Sequence, residues 1–259
     1  MRVDPVAAAG FSAAADLYER ARPSYPQEAI DWLVTTTEIG PGRTVVDLGA
    51  GTGKLSRLLV PSGARIIAVE PIAEMRAHIV EAEVLDGTAE EMPLDDGSAD
   101  VVAVAQAFHW FDQDKALPEI HRVLRADGYL VLVWNMRDLD DPLQRGVEDL
   151  LAPIRQDVPG QALGAWRDPL GQSALFGPAV VGTFEHEQLF TADDLCDRVA
   201  STSFVATLSA IDREELLVRV RALAANLEEP FPFRYISEVH VIPRSSDGGP
   251  VEGGTSIQG

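Results

Sequence analysis

The chain has little of what disulfide-bonded and metal-binding proteins use. It contains one cysteine, Cys196, so no disulfide can form within it, and we expect this residue to be small, apolar and buried. The histidines lack the spacings of metal sites, because they stand at positions 78, 109, 121, 186 and 240. The sequence therefore predicts no metal site.

Long hydrophobic runs and basic clusters are also absent. No apolar run approaches the roughly 20 residues that span a bilayer, and the first residues lack a secretory apolar region, so a cytoplasmic protein is expected. Only 21 Lys and Arg stand against 41 Asp and Glu, a net charge of −20. Nucleic acids and anionic membranes are bound through basic residues, so neither is a predicted partner. We expect a small, uncharged or weakly charged metabolite as substrate, and the oligomeric state stays open.

What the chain does contain is an alternation of strands and helices. Its 259 residues are 46% hydrophobic, which suits a large core. Apolar strands are predicted at 44–48, 65–70, 84–85, 100–105 and 129–134, and helices at 26–34, 72–81 and 115–125. Pro118 is expected in or near the first turn of its helix, and Asp127-Gly128 at its end. This order predicts an α/β fold, a doubly wound Rossmann-like sheet that is mostly parallel.

The second half is less regular. Residues 136–178 are predicted to form a substrate lid inserted after the fifth strand, because so long a segment exceeds a simple loop. A strand at 180–190, helices at 193–201 and 212–226, and an antiparallel last strand at 233–242 follow. Asp212 and Glu215 have the spacing of a capping box. One domain is expected over 1–243, with an N-terminal cover (10–40) and a cofactor core (41–135), and a disordered tail over 244–259.

The most informative stretch is a glycine turn after the first strand. It has the spacing Asp47-x-Gly49-x-Gly51-x-Gly53 and predicts strand, tight turn and helix. Glycines allow positive φ and close approach of a ligand, and the helix start offers free N–H groups. A dinucleotide site would need glycine at Lys54, and a buried Asp47 would repel a pyrophosphate, which argues against a nicotinamide oxidoreductase. S-adenosylmethionine carries cationic groups that tolerate an acid.

This spacing resembles motif I of the class I S-adenosylmethionine-dependent methyltransferases. Glu70 ends the next strand, 21 residues after Gly49, where such folds place an acid that accepts ribose hydroxyls. A surface acid is the alternative. The resemblance implies that S-adenosylmethionine is held by Asp47, Gly49, Ala50, Gly51, Gly53, Glu70 and Pro71.

Two further segments extend the resemblance. Thr88-Ala89-Glu90 is similar to the adenine-binding stretch of methyltransferases of the ubiquinone-biosynthesis type, and the alternative is a plain loop. Tyr18, Arg22, Tyr25 and the prolines that follow the last two resemble a signature of the trans-aconitate methyltransferase group. This resemblance implies that Tyr18 and Arg22 contact the cofactor carboxylate or an acidic substrate, and that Tyr25 lines the substrate site. The alternative is that the tyrosines only pack the helix on the sheet.

An aromatic run follows the fourth strand, from Gln106 to Asp112. We expect Phe108 or Phe111 to pack, and His109 and Trp110 to face the methyl donor, because ligands bind at the carboxyl ends of strands. A hydrogen-bonded loop histidine is the alternative for His109. Gln106 is a further candidate for the cofactor site. The substrate candidates are Tyr25, His109, Trp110, Trp134 and Trp166.

The resemblance implies one in-line displacement, with methyl transfer to an O, N or C of a small molecule. His109 is the candidate base if the acceptor is a hydroxyl or amine, and the rate would then fall below about pH 6.5. A carboxylate acceptor needs no base. A relative that binds the cofactor without transferring methyl, such as a cyclase or accessory module, remains open.

Overall fold

The computed structural model describes Glu19, residues 21–155 and residues 167–245. The strands form one sheet and are, in chain order, β1 (Thr44–Leu48), β2 (Arg65–Val69), β3 (Glu83–Leu85), β4 (Ala99–Ala105), β5 (Leu124–Arg137), β6 (Val180–Phe190) and β7 (Phe231–Pro243). The helices are α1 (Gln27–Thr37), α2 (Lys54–Leu59), α3 (Ala73–Arg76), α4 (Gln113–Val123), α5 (Pro142–Arg155), α6 (Arg167–Gln172), α7 (Ala192–Ala200), α8 (Ser203–Ala206) and α9 (Ala210–Leu223). Short 3-10 helices occupy Val60–Ser62 and Phe108–Trp110.

The strand order is β3-β2-β1-β4-β5-β7-β6. Strands β1 to β5 pair in parallel. The strands after β1 are added first on one side of it, as β2 and β3, and then on the other, as β4 and β5, so the strand order reverses between β1 and β4. Strand β1 is buried throughout and β4 nearly so, since helices cover both faces. The predicted Rossmann-like sheet is therefore confirmed, and its central reversal places a crevice at the carboxyl ends of β1 and β4.

The far edge of the sheet is antiparallel. Strand β7 inserts between β5 and β6, with Val131 opposite Val241 on one side and Thr183 opposite Glu238 on the other. The expectation that the last strand runs antiparallel to the one before it is confirmed. Because a long antiparallel ribbon extends past the parallel strands, it provides a second surface on which helices can pack.

Apolar side chains form three clusters. One contains Leu48, Val104 and Trp134, and a second, which includes Val45, Val131 and α1 residues, also lies against the sheet. A third cluster is built by α5, α7, α8 and α9 against the β6–β7 ribbon. Cys196 is buried in this third cluster, as expected.

Several predicted boundaries in the first half are wrong. The helix expected over 72–81 is the four-residue α3. Helix α4 begins at Gln113, so Pro118 lies beyond its first turn rather than in it. Asp127-Gly128 does not end that helix either, because β5 starts at once at Leu124 and its register with β4 shifts between Ala99 and Val101. The dipeptide lies in this irregular part of the strand.

The second half also differs in detail. Helix α9 begins after Ser209, whose side chain accepts from the Asp212 N–H, so the cap is Ser209 with Asp212 rather than Asp212 with Glu215. A full capping box stands instead at Thr191 and Asp194 of α7.

The predicted lid and tail are only partly described. Residues 136–137 belong to β5, and α5 and α6 occupy part of the rest of 136–178, while 156–166 lie outside the described residues. Arg244 and Ser245 are joined to the fold by backbone hydrogen bonds, and the remainder of the predicted tail is likewise outside. None of the helices in the described ranges has the length and hydropathy needed to cross a membrane.

Candidate functional site

A cavity of about 400 Å³ opens at the carboxyl ends of β1, β4 and β5. Its walls come from the glycine turn, the segment after β4, the end of β5, and helices α5, α7 and α8. The residues that line it include Arg22, Tyr25, Gly49, Ala50, Gly51, Gln106, His109, Trp110, Arg137, Glu148, Arg155, Arg198, Thr202, Ser203 and Phe204. The reversal point of the sheet thus carries a concave site, as α/β folds of this kind favour.

The glycine turn is tied to the end of the neighbouring strand. The N–H groups of Gly49 and Ala50 donate to the Val69 carbonyl at 2.8 and 3.2 Å. Gly49 has φ +68°, and a Cβ there would stand 2.9 Å from the Ala107 Cβ. Glycine is therefore required at this position by both conformation and space.

Gly51 differs from Gly49 because the space above it is open. It has φ +58° and lines the cavity, and a Cβ there would meet no atom within 4 Å. Its N–H donates to Glu70 Oε2 at 2.9 Å. The turn therefore presents bare backbone to the cavity at Gly51.

Glu70 uses both carboxylate oxygens on backbone N–H groups. Oε2 accepts from Gly51 and Oε1 accepts from Ile72 at 2.9 Å. The residue is 5% exposed, and this burial raises the pKa of its carboxyl group. The sequence places an acid at the end of β2, and the structure brings it into contact with the glycine turn, next to the cavity.

Asp47 lies beneath the turn and does not line the cavity. Its Oδ2 accepts from the Ser56 N–H at 3.0 Å and from the Ser56 hydroxyl at 2.6 Å. Burial raises its pKa from 3.8 to about 6. Asp47 is thus a buried support for the first turn of α2, and its carboxylate is not placed for the direct cofactor contact that the sequence predicts.

His109 lies on the 3-10 helix after β4 and lines the cavity. Its ring is 4.8 Å from Trp110 and 5.6 Å from Trp134, between centroids. Burial, with a smaller effect of Arg22, lowers the pKa of His109 from 6.5 to about 4. The imidazole is therefore neutral at physiological pH, and the expected fall in rate near pH 6.5 does not follow from this site.

The rest of the aromatic run divides as expected. Phe108 is fully buried and meets Phe111 edge to face, while Trp110 lines the cavity with His109. Trp134 does not reach the cavity, because it is 0% exposed and packs behind His109. Its place in the predicted substrate set is therefore wrong.

The predicted adenine segment lies beside the cavity rather than in its wall. Thr88 pairs with Glu91 through two backbone hydrogen bonds, Ala89 is buried, and the Glu90 carboxylate accepts from the Asp112 N–H. Gly53 and Pro71 are also absent from the cavity wall; Gly53 begins α2 with φ +79°. The segment follows β3, so it lies at the same edge of the sheet as Glu70.

The N-terminal signature reaches the cavity in part. Arg22 and Tyr25 line it, and an Arg22 terminal nitrogen donates to the Ser201 carbonyl at 2.9 Å. Glu19 accepts a hydrogen bond from Arg57 of α2, the helix that follows the glycine turn. Tyr18 and Trp166 lie outside the described residues, so their roles stay predictions.

The sequence reasoning named no residue of one wall, although three of its residues lie within the lid predicted at 136–178. Arg137, Glu148, Arg155 and Arg198 line it, with Thr202, Ser203 and Phe204 of the α7–α8 junction. One signal was available: Arg198 follows Leu195 by three residues, so a charge stands on the apolar face of a predicted amphipathic helix. Among the described residues, no group of three His, Cys, Asp or Glu is arranged to hold a metal, and the absence of a metal site stays a prediction.

Comparison with known proteins gives the family. The methyltransferase domain family matches residues 46–132. An uncharacterized methyltransferase of Mycobacterium tuberculosis is 44% identical over 224 residues, which cover 83% of this chain and 85% of the relative. The chain belongs to the methyltransferase family. A methyltransferase-like protein of Schizosaccharomyces pombe is 34% identical over 215 residues, covering 81% of this methyltransferase and 84% of the relative.

The fold of this methyltransferase is shared with solved class I structures. A putative type II methyltransferase from Anaeromyxobacter dehalogenans matches with a TM-score of 0.65 and 23% identity, covering 87% of this chain and 98% of that chain. Family membership disfavours the nicotinamide oxidoreductase alternative. The narrower likeness to the trans-aconitate group stays a prediction.

Proposed function

We propose that this methyltransferase transfers a methyl group from S-adenosylmethionine to an O, N or C of a small molecule bound in the cavity. The observation that carries the proposal concerns Gly51. Its backbone lines the cavity without a side chain, and its N–H donates a hydrogen bond to the buried Glu70. Family membership supports the reaction type, and this geometry supports the cavity as the place of the reaction.

The residues present fit the cofactor. The absence of any atom within 4 Å of a Cβ on Gly51 leaves room for a ligand against the turn, and Glu70 holds a carboxylate where ribose hydroxyls can donate. When bound, S-adenosylmethionine supplies an electrophilic methyl group on a sulfonium. Gly49, Ala50 and Gly51 would hold it, together with Glu70, Thr88 and Gln106.

The protein's own contribution is to position the cofactor and the acceptor. The segment after β4 brings His109 and Trp110 to the cavity next to the glycine turn, and their ring faces suit a cationic sulfonium. Walls from β5, α5, α7 and α8 would hold the acceptor in the same cavity, because methyl transfer needs the acceptor atom close to the methyl carbon and in line with it. Neutral His109 offers a hydrogen-bond acceptor at this point.

The test of the proposed function has two steps. Calorimetric titration with S-adenosylmethionine, and separately with NAD, should show binding of the first only. Release of S-adenosylhomocysteine with candidate acceptors would then separate a methyltransferase from a relative that binds without transferring methyl. Tight NAD binding without S-adenosylmethionine binding would overturn the proposal.

Replacing Glu70 with Ala is expected to weaken S-adenosylmethionine binding by about 1–3 kcal/mol, because buried hydrogen bonds at the ribose and the turn are lost. The measurement is calorimetric titration, with exposed Glu74→Ala on α3 as the control. If the two variants bind S-adenosylmethionine with equal affinity, Glu70 is not part of the cofactor site.

Titration of His109 is expected to have no effect on the pH profile of kcat/KM between pH 5.5 and 8.0. Since its pKa is lowered to about 4, the imidazole stays neutral throughout this range and is a weak base. Profiles of kcat/KM for the wild type and His109→Gln should therefore be parallel. A wild-type inflection near pH 6.5 that disappears in the variant would restore the base role.

A further inference from the structure

Three arginines line the wall of which the sequence reasoning named no residue. Arg137 ends β5, Arg155 ends α5, and Arg198 lies on α7. All three line the cavity, and we name them the arginine cluster. None of these elements contributes to the glycine turn, so the cluster lies on a part of the cavity wall that the turn does not form.

One carboxylate balances part of this charge. Glu148 Oε2 accepts from Arg137 at 2.5 Å, and its Oε1 accepts from Arg155 at 2.6 Å. Both oxygens of Glu148 are therefore occupied by guanidinium groups. The third guanidinium, on Arg198, has no acidic partner among the residues that the structure describes.

Arg198 is buried with an unused donor. It is 8% exposed, and its Nε donates to the Tyr235 hydroxyl at 3.2 Å. Its buried Nη1 has no hydrogen-bond acceptor within the described chain. An uncompensated buried charge is costly, so a site that retains one requires a compensating group from elsewhere.

The pKa of Arg137 also indicates that positive charges lie close together at this wall. Burial lowers its pKa to about 10, and the neighbouring charge of Arg198 acts in the same direction. It remains a cation at neutral pH. Arg137 therefore lies in the positive field of Arg198, which also lines the cavity, and a bound anion would relieve this repulsion.

We propose that the methyl acceptor carries an oxyanion, a carboxylate or a phosphate, that binds the arginine cluster. The inference rests on the proposed function and names its substrate class. Guanidinium groups match such oxyanions in a fork geometry. It narrows the expectation of an uncharged or weakly charged metabolite, which was drawn from the net charge of −20. Of the charged residues lining the cavity, Arg22, Lys54 and the cluster are cations and only Glu148 is an acid.

The test measures anion binding directly. Succinate, citrate and inorganic phosphate serve as probes, titrated by calorimetry at constant ionic strength into the full chain with and without S-adenosylhomocysteine. Arg198→Met removes the charge but keeps an apolar stem, and Arg198→Lys keeps the charge. The matched control is Arg213→Gln, an exposed arginine on α9 outside the cavity.

We expect at least one probe to saturate the wild type and Arg213→Gln alike. Its Kd should rise about tenfold or more in Arg198→Met, since a charge-assisted hydrogen bond contributes about 1.5–3 kcal/mol. Arg198→Lys should lie between them. Saturation by phosphate alone assigns the site to a phosphate, and saturation by carboxylates alone assigns it to a carboxylate. No saturable binding, or equal binding in Arg198→Met, would overturn the proposal.

Affinity for S-adenosylhomocysteine separates this inference from the proposed function. It should be unchanged in Arg198→Met, which also shows that the variant is folded. A tenfold loss there, with wild-type unfolding temperature, would mean that the cluster serves the cofactor, and the proposal would fall. Anion binding in a wild type that does not bind S-adenosylhomocysteine would leave the anion site standing and refute the proposed function instead.

Discussion

Replacing Gly51 with Val is expected to weaken S-adenosylmethionine binding by about 100-fold or more while the fold survives. The side chain would enter the open space that the bare backbone now borders. It would separate the cofactor from the turn, and a 100-fold weaker affinity corresponds to a loss of about 2.8 kcal/mol of binding free energy. Calorimetric titration with S-adenosylmethionine measures the effect.

Gly97 provides a closely matched control. It has φ +60° against +58° at Gly51, a Cβ there would also meet nothing within 4 Å, and its N–H is likewise hydrogen-bonded, to the Arg122 carbonyl. Gly97→Val therefore carries the same backbone strain outside the cavity. If both variants lose cofactor binding equally, strain and not the site explains the loss.

Replacing Asp47 with Asn is expected to remove a pH-dependent loss of stability. The native pKa of about 6 exceeds the ordinary 3.8, so the folded state binds more protons between these values. Stability from this group is therefore complete below about pH 4 and is lost as the pH rises through 6. The full loss is about 3 kcal/mol, from about two pKa units at 1.36 kcal/mol each.

Urea unfolding of the cofactor-free protein at pH 5.0 and 7.5 measures this difference. Asp47→Asn should gain about 1–2 kcal/mol on the wild type between the two pH values, because about half of the full loss of stability occurs in this range. The asparagine carbonyl can still accept from Ser56, so the support of α2 is kept. Asp114→Asn, at an exposed position of α4, is the control and should parallel the wild type. A parallel response of Asp47→Asn would contradict the argument.

The parts of the site that local rules govern could be predicted from the sequence. The glycine turn depends on residues 47–53, and φ values near +60° there require glycine whatever surrounds them. Glu70 was predictable because a parallel strand order carries the ends of β1 and β2 to one edge. The aromatic run was predictable in the same way, since one of Phe108 and Phe111 was expected to pack and His109 to face the ligand.

The rest depends on long-range packing. Trp134 was assigned to the substrate set by its position at a strand end, and only the packing of His109 over it shows that it is buried. The low pKa of His109 comes from burial that neighbours in sequence do not determine. Arg198 reaches the cavity because α7 packs on the antiparallel ribbon, a contact between segments about 40 residues apart.

The third apolar cluster gives the helical wall of the cavity a core of its own. The helices of the wall that carries the arginine cluster have their own core on the β6–β7 ribbon, which contains Leu195, Val205 and Leu216. Neither the glycine turn nor Glu70 belongs to this core. A lineage with this architecture can therefore change what it methylates by repacking one helical layer, while the machinery for the methyl donor is inherited intact.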